Sequence, residues 1–109
     1  MENTTKKIIL DAKQAILNHV LEVSRYHFGN YVNHYESNEI SREFYYELAL
    51  QDTDRLIQML ELFISMKYIT PEEFEIEKED VKKLKKGIRN YYRDILSSME
   101  LIQKSLKGN

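Results

Sequence analysis

The sequence predicts an all-α fold, an antiparallel bundle of three long helices at about residues 5–35, 42–67 and 71–106, in one domain spanning 1–109. Three observations carry that prediction. Apolar residues recur at three- and four-residue spacing through most of the chain, only one proline and three glycines interrupt it, and alternation at period two is absent over any useful length. A chain of 109 residues buries one modest core and not two, so no internal linker is expected.

The first helix runs from about Thr5 to about Tyr35 and carries two apolar stripes. Ile9, Ala12, Ile16, Val20, Val23 and Tyr31 form one; Leu10, Leu17, Leu21, Phe28 and Tyr35 lie nearly opposite. Gly29 within it costs about 1 kcal/mol relative to alanine and marks a place for a bend. The polar stretch from Glu36 to Ser41 reads as a loop, with Ser41 as the cap of the second helix. That helix is apolar around most of its circumference through Phe44, Leu48, Leu56, Met59, Phe63 and Met66. Its narrow polar strip is Glu43, Glu47, Asp54, Gln58 and Glu61.

The sharpest boundary follows. In "YITPEEF", Thr70 caps, Pro71 suits the first helical position and Glu73 completes a capping box. Phe74, Val81, Ile88, Ile95 and Ile102 then repeat every seven residues, with Leu84, Tyr91, Met99 and Leu106 between them. The repeat passes through Gly87, which favours one long helix. "KKLKKG" also reads as a helix end, with lysines against the dipole and a glycine cap, and a break there makes four helices.

Composition narrows the function classes. A net charge of −2 argues against a dedicated duplex binder, which is normally basic as a whole domain. With no cysteine there is no disulfide, thiolate nucleophile or zinc thiolate, which fits a cytoplasmic setting. Short apolar runs and an amino end without signal-peptide order point to neither export nor membrane spanning.

Several constellations have both a chemical and a packing reading. His19, His27 and His34 share about an 80° sector of helix 1, but successive members stand about 10 to 12 Å apart along the axis, too far for one ion. Zinc-binding helices use i and i+4 instead, so structural or interfacial histidines are expected and no metal is assigned. Asp52 and Arg55 point toward the apolar side of helix 2 and read as an ion pair in a polar layer rather than a tuned acid. No nucleophile with its base, glycine-rich phosphate loop or cofactor motif is visible, so no catalytic residue, cofactor or small-molecule substrate is assigned.

The segment "KKLKKGIRNYYR" holds six cations, and Lys78, Lys82, Lys85, Lys86, Arg89 and Arg93 lie within about 100° around helix 3 over about 22 Å. With Tyr92 they make a candidate binding stripe, for a phosphate backbone or for an acidic protein surface. The acids of "EEFEIEKED" ahead of it also make favourable helix electrostatics, which is the solvated-surface reading. Glu43, Glu47, Asp54 and Glu61 form a candidate acidic contact strip on helix 2.

"LALQDTDRLIQMLELFISMKYITPEEFE", residues 48–75, resembles a helix and turn of the small four-helix-bundle proteins that include 23S rRNA intervening-sequence proteins and retroelement accessory variability determinants. Ala49, Leu50, Leu56, Leu60, Glu61, Leu62 and the turn Tyr68, Ile69, Thr70 with Glu73 and Phe74 carry it. The resemblance covers about a quarter of the chain and implies an oligomeric bundle with nucleic-acid association, with no functional residue transferred. "RNYYRD", residues 89–94, resembles the R-N-x-x-x-H signature of HEPN ribonucleases, but Asp94 stands in the histidine position, which removes the catalytic group.

Three helices cannot easily cover two opposed stripes on one of them. At about 25 cal/mol per Å², a few hundred Å² of exposed apolar surface forgoes several kcal/mol. Association is therefore expected. The leading expectation is a non-catalytic bundle that binds a protein partner stoichiometrically, as a homodimer, and analogy suggests a phage or mobile-element regulator or inhibitor of anti-CRISPR or immunity type. The alternative is a nucleic-acid-binding bundle using the stripe of helix 3.

Overall fold

The computed structural model describes the backbone of residues 1–33 and 37–107 and the side chains of 1–27, 40–98, 100, 101, 104 and 105. It is all-helical: α1 is Asn3–Asn33, α2 is Ser37–Ser65 and α3 is Pro71–Lys107. Among the described residues there is no strand, and no helix is long and apolar enough to cross a membrane.

Two local devices make the α2–α3 turn. At the end of α2 the Tyr68 N–H donates to the Phe63 carbonyl at 2.9 Å and the Lys67 N–H to the Ile64 carbonyl at 3.1 Å. This is a Schellman motif, with Lys67 left-handed at φ 63° and Tyr68 packed edge-on against Phe63 at 5.9 Å between centroids. At the start of α3 the Thr70 N–H donates to Glu73 Oε1 at 2.9 Å while the Glu73 N–H donates to Thr70 Oγ1 at 3.1 Å. The expected capping box is therefore present, and the amino group of Met1 adds an ion pair to Glu73 at 3.0 Å.

Two expected boundaries, both of α2, are corrected. Helix α2 begins at Ser37, so residues 37–41 of the expected loop are helical and Ser41 lies inside the helix, not at its cap. Arg42, seven residues before Ala49 and fourteen before Leu56, is 3 % exposed and carries the buried face of α2 toward its start with a residue that an apolar pattern does not count. Helix α2 also stops at Ser65 rather than at about 67, where the left-handed Lys67 ends it. Helix α3 continues through Gly87, which has no positive φ, so the four-helix alternative is not taken. Helix α1 likewise runs on through Gly29. The expected positions Tyr35, His34 and Glu36, and the side chains of Phe28, Tyr31, Met99, Ile102 and Leu106, lie outside the described residues.

The core is a narrow file. Ile9 and Ile16 of α1, Ala49, Leu56 and Leu60 of α2, Ile69 of the turn, and Val81 and Ile88 of α3 form its buried cluster. Ala12, Val20, Leu50, Ile57, Met59, Phe63, Phe74 and Leu84 pack around it. Cross-helix partners rise along α1 as they fall along α2: His19 meets Asp52, Tyr26 stacks on Tyr45, and His27 meets Arg42. Between α2 and α3, Asp54 meets Lys85 and Tyr46 meets Tyr92. Helix α2 packs against both others, whereas α1 and α3 approach each other less closely. The result is elongated, 61 × 19 × 18 Å, with a radius of gyration of 17.6 Å. A compact chain of this length has a radius of about 13 Å.

Candidate functional site

Of the two stripes expected on α1, one is inside. Ile9, Ile16 and Val23 are buried, while Leu10, Leu17 and Leu21 are exposed at 53, 43 and 64 %. Helix α2 keeps a second exposed row of Ile40, Phe44 and Leu62, which fall within about 40° of one another around the helix. Met66 prolongs that row past the helix end. Gln51 and Arg55 interrupt it, and both are exposed.

Beside the Leu10–Leu17–Leu21 stripe a trough of about 470 Å³ opens between α1 and α3. Leu17, Val20, Leu84, Ile88 and Gly87 line it, with Asp80, Lys83 and Tyr91 on its α3 side. Two polar clasps hold its ends: Lys13 Nζ bonds Glu77 at 2.7 Å and reaches Asp80 at 3.5 Å, and the Ser24 and Tyr91 hydroxyls meet at the other end. Nothing lies within 4 Å of the place where a Cβ on Gly87 would stand. Packing within the chain therefore does not demand glycine there.

The basic stripe of α3 is partly occupied within the chain. Lys85 bonds Asp54 of the acidic strip at 2.7 Å, Lys82 sits 3.6 Å from Glu79, Lys78 lies over the ring of Phe74, and Arg93 donates to Asn90 at 3.3 Å. Lys86 and Arg89 are exposed, as are Glu43, Glu47 and Glu61 on α2. Tyr92 is half-buried against Tyr46, with the Arg42 guanidinium 5.9 Å from its ring centre. Burial pushes its hydroxyl pKa up, against the opposing pull of Arg42.

A buried polar cluster joins the three helices beyond the apolar core. His27 is 4 % exposed and its Nδ1 lies 3.2 Å from Arg42 Nη1. Arginine can only donate, so Nδ1 accepts and the imidazole carries its proton on Nε2. Burial first and the neighbouring guanidinium second hold the His27 pKa below its ordinary value. Two turns back along α1, His19 Nδ1 stands 2.9 Å from Asp52, close enough to pair but off the line of a hydrogen bond. Asp52 also holds Arg55 at 3.2 Å. These groups are occupied with one another, and among the described residues no group of three or more His, Asp or Glu side chains could hold a metal ion.

Sequence reasoning did not single out Arg42, and it weighed Gly87 only as a helix end. The signal for Arg42 was its heptad phase with Ala49 and Leu56; the trough beside Gly87 depends on how far α1 stands from α3, which no local pattern reports. No family model, curated protein or solved structure matches the chain.

Proposed function

We propose that the chain is a non-catalytic interaction module, an antiparallel three-helix bundle that binds a protein partner stoichiometrically in the manner of a regulator or inhibitor. The observation that supports this reading is the pair of apolar rows left in solvent above a packed core, Leu10, Leu17 and Leu21 on α1 and Ile40, Phe44 and Leu62 on α2. Large apolar side chains left exposed in a row on a folded domain favour an interaction site, because covering them recovers about 25 cal/mol per Å². The α2 row is the foreign partner's face. It is flanked by the exposed carboxylates of Glu43 and Glu47, which favour a partner with a basic rim around an apolar centre.

Affinity capture from the native host, with crosslinks mapped to α2, tests the reading. Capture that Phe44→Glu and Leu62→Glu abolish supports it; capture indifferent to both, or none, overturns it.

A second reading, nucleic-acid binding by α3, draws on the exposed row of Lys82, Lys86 and Arg89. Only part of the stripe is left for phosphate once Lys85 is held by Asp54. The resemblance of residues 48–75 to the ribosomal intervening-sequence and retroelement accessory proteins points the same way.

A further inference from the structure

The geometry points to the trough between α1 and α3 as the seat of α1 from a second copy of this chain, giving a two-fold dimer whose axis passes beside Leu17. The inference deepens the interaction reading by naming the occupant of the α1 face, and it rests on that reading.

Length is the first argument. The trough runs from the Lys13–Glu77 clasp to the Ser24–Tyr91 clasp, eleven residues of α1 or about 16 Å. The exposed stripe from Leu10 to Leu21 also spans eleven residues, so the stripe of one copy fills the trough of another. Leu17 belongs to both, exposed in the stripe and lining the trough. A self-complementary patch of that kind closes on itself about a two-fold axis.

Register supplies the second. Lys13 lies level with Glu77 and Ser24 with Tyr91, so α1 and α3 run side by side with numbers offset by 64 at the first clasp and 67 at the second (77 − 13 and 91 − 24). A second α1 running the opposite way with Leu17 on Leu17 brings its Leu10 beside Tyr91 and its Gln14 opposite Gly87. The glycine, which costs about 1 kcal/mol in a helix interior and which nothing in its own chain requires, then lets the incoming backbone come close.

Charge is the third. The same register sets Lys7 of the incoming helix against Asp94. Both are exposed, and among the described residues neither makes an ion pair within its own chain. Arg25 of the incoming helix arrives near the acidic first turn of α3, Glu72 and Glu73.

Sedimentation equilibrium on the full chain tests this at roughly 10 to 100 µM, a range that reveals micromolar dimers. The wild type is expected at twice the chain mass. Leu17→Glu is expected at the chain mass with unchanged helicity, since Leu17 is already 43 % exposed. Gly87→Leu puts a side chain into the trough from a position where the added Cβ meets no other atom within 4 Å, and is expected to weaken the dimer at least tenfold. Lys7→Glu and Asp94→Lys each weaken it several-fold, and the double exchange restores it, a result that a purely structural role for either residue does not produce. A wild type that stays at the chain mass, a dimer indifferent to Leu17→Glu, or a double exchange that fails to restore association overturns the inference. Partner capture through α2 is measured on the Leu17→Glu protein, so loss of the dimer and loss of the foreign partner are read separately.

Discussion

The rings of Tyr46 and Tyr92 stack with centroids 3.9 Å apart and planes 7° from parallel, fastening α3 to α2 beyond the apolar core. One face of the Tyr92 ring is thereby covered by Tyr46. Replacing Tyr92 by alanine removes a half-buried ring and a stacked pair, and about 2 kcal/mol of stability should go with it. Tyr92→Phe keeps the stack and should cost less than half as much. Urea unfolding of the two variants checks this; equal losses would show that the hydroxyl, not the stack, carries the contact.

Lys67 adopts a left-handed backbone without being glycine. That conformation costs a side-chain-bearing residue about 1 to 2 kcal/mol, and glycine's extra freedom in the unfolded chain returns part of the gain. Lys67→Gly should therefore stabilise the protein by about 0.5 to 1 kcal/mol, seen as a rise of a few degrees in Tm.

His27 is buried, neutral and accepting from Arg42, with its pKa held below the ordinary histidine value. The unfolded chain thus binds a proton more readily than the folded one. The stability that His27 contributes is complete above the unfolded pKa, about 6.5, and is lost as pH falls from there toward the lowered folded value. Thermal unfolding followed from neutral pH downward should show a Tm decline in that window. His27→Gln preserves an acceptor for Arg42 and cannot titrate, so its decline should be shallower; an identical profile would mean that other groups set the acid limit.

Glu73 works in the opposite chemical sense but has the same direction of pH dependence. The Thr70 N–H first, and the Met1 amine next, hold its carboxyl below the usual carboxylate range. The cap is intact above the unfolded glutamate pKa, about 4.3, and weakens as pH falls through the lower folded value. Amide exchange at the first turn of α3 should accelerate there before exchange at Val81 or Ile88 does.

Leu60 is fully buried, whereas Leu21 is 64 % exposed. Leu60→Ala should cost about 2 to 5 kcal/mol, and Leu21→Ala should leave the unfolding of a single chain almost unchanged. Denaturant titration at high dilution, where association makes no contribution, separates the two.

The capping box was legible because its hydrogen bonds join Thr70 and Glu73, three residues apart, and the heptad of α3 was legible because it is a single-helix property. The Schellman turn was hidden, since its left-handed position holds lysine where glycine is the usual signal. The polar stretch at 37–41 was misread for a related reason: its composition suits a turn, and the buried side of the helix just after it is held by an arginine that an apolar pattern does not count. The charged stripe could be placed on one helix, but Lys85 turning to Asp54 is a relation between two helices. The trough is further still from the sequence, because it arises from an α1–α3 spacing that periodicity within each helix leaves open.

One consequence follows from the slenderness of this rod. Along α1 the buried positions Ile9, Ile16 and Val23 come once every seven residues, matched by Val81, Ile88 and Ile95 along α3. Each of these helices gives one fully buried side chain every two turns, with only partly buried neighbours around it, so a vacancy at mid-length weakens the rod's cohesion at its middle. Damage at Ile16 or Leu56 should sever communication between the ends of the rod, whereas damage at a tip merely shortens it.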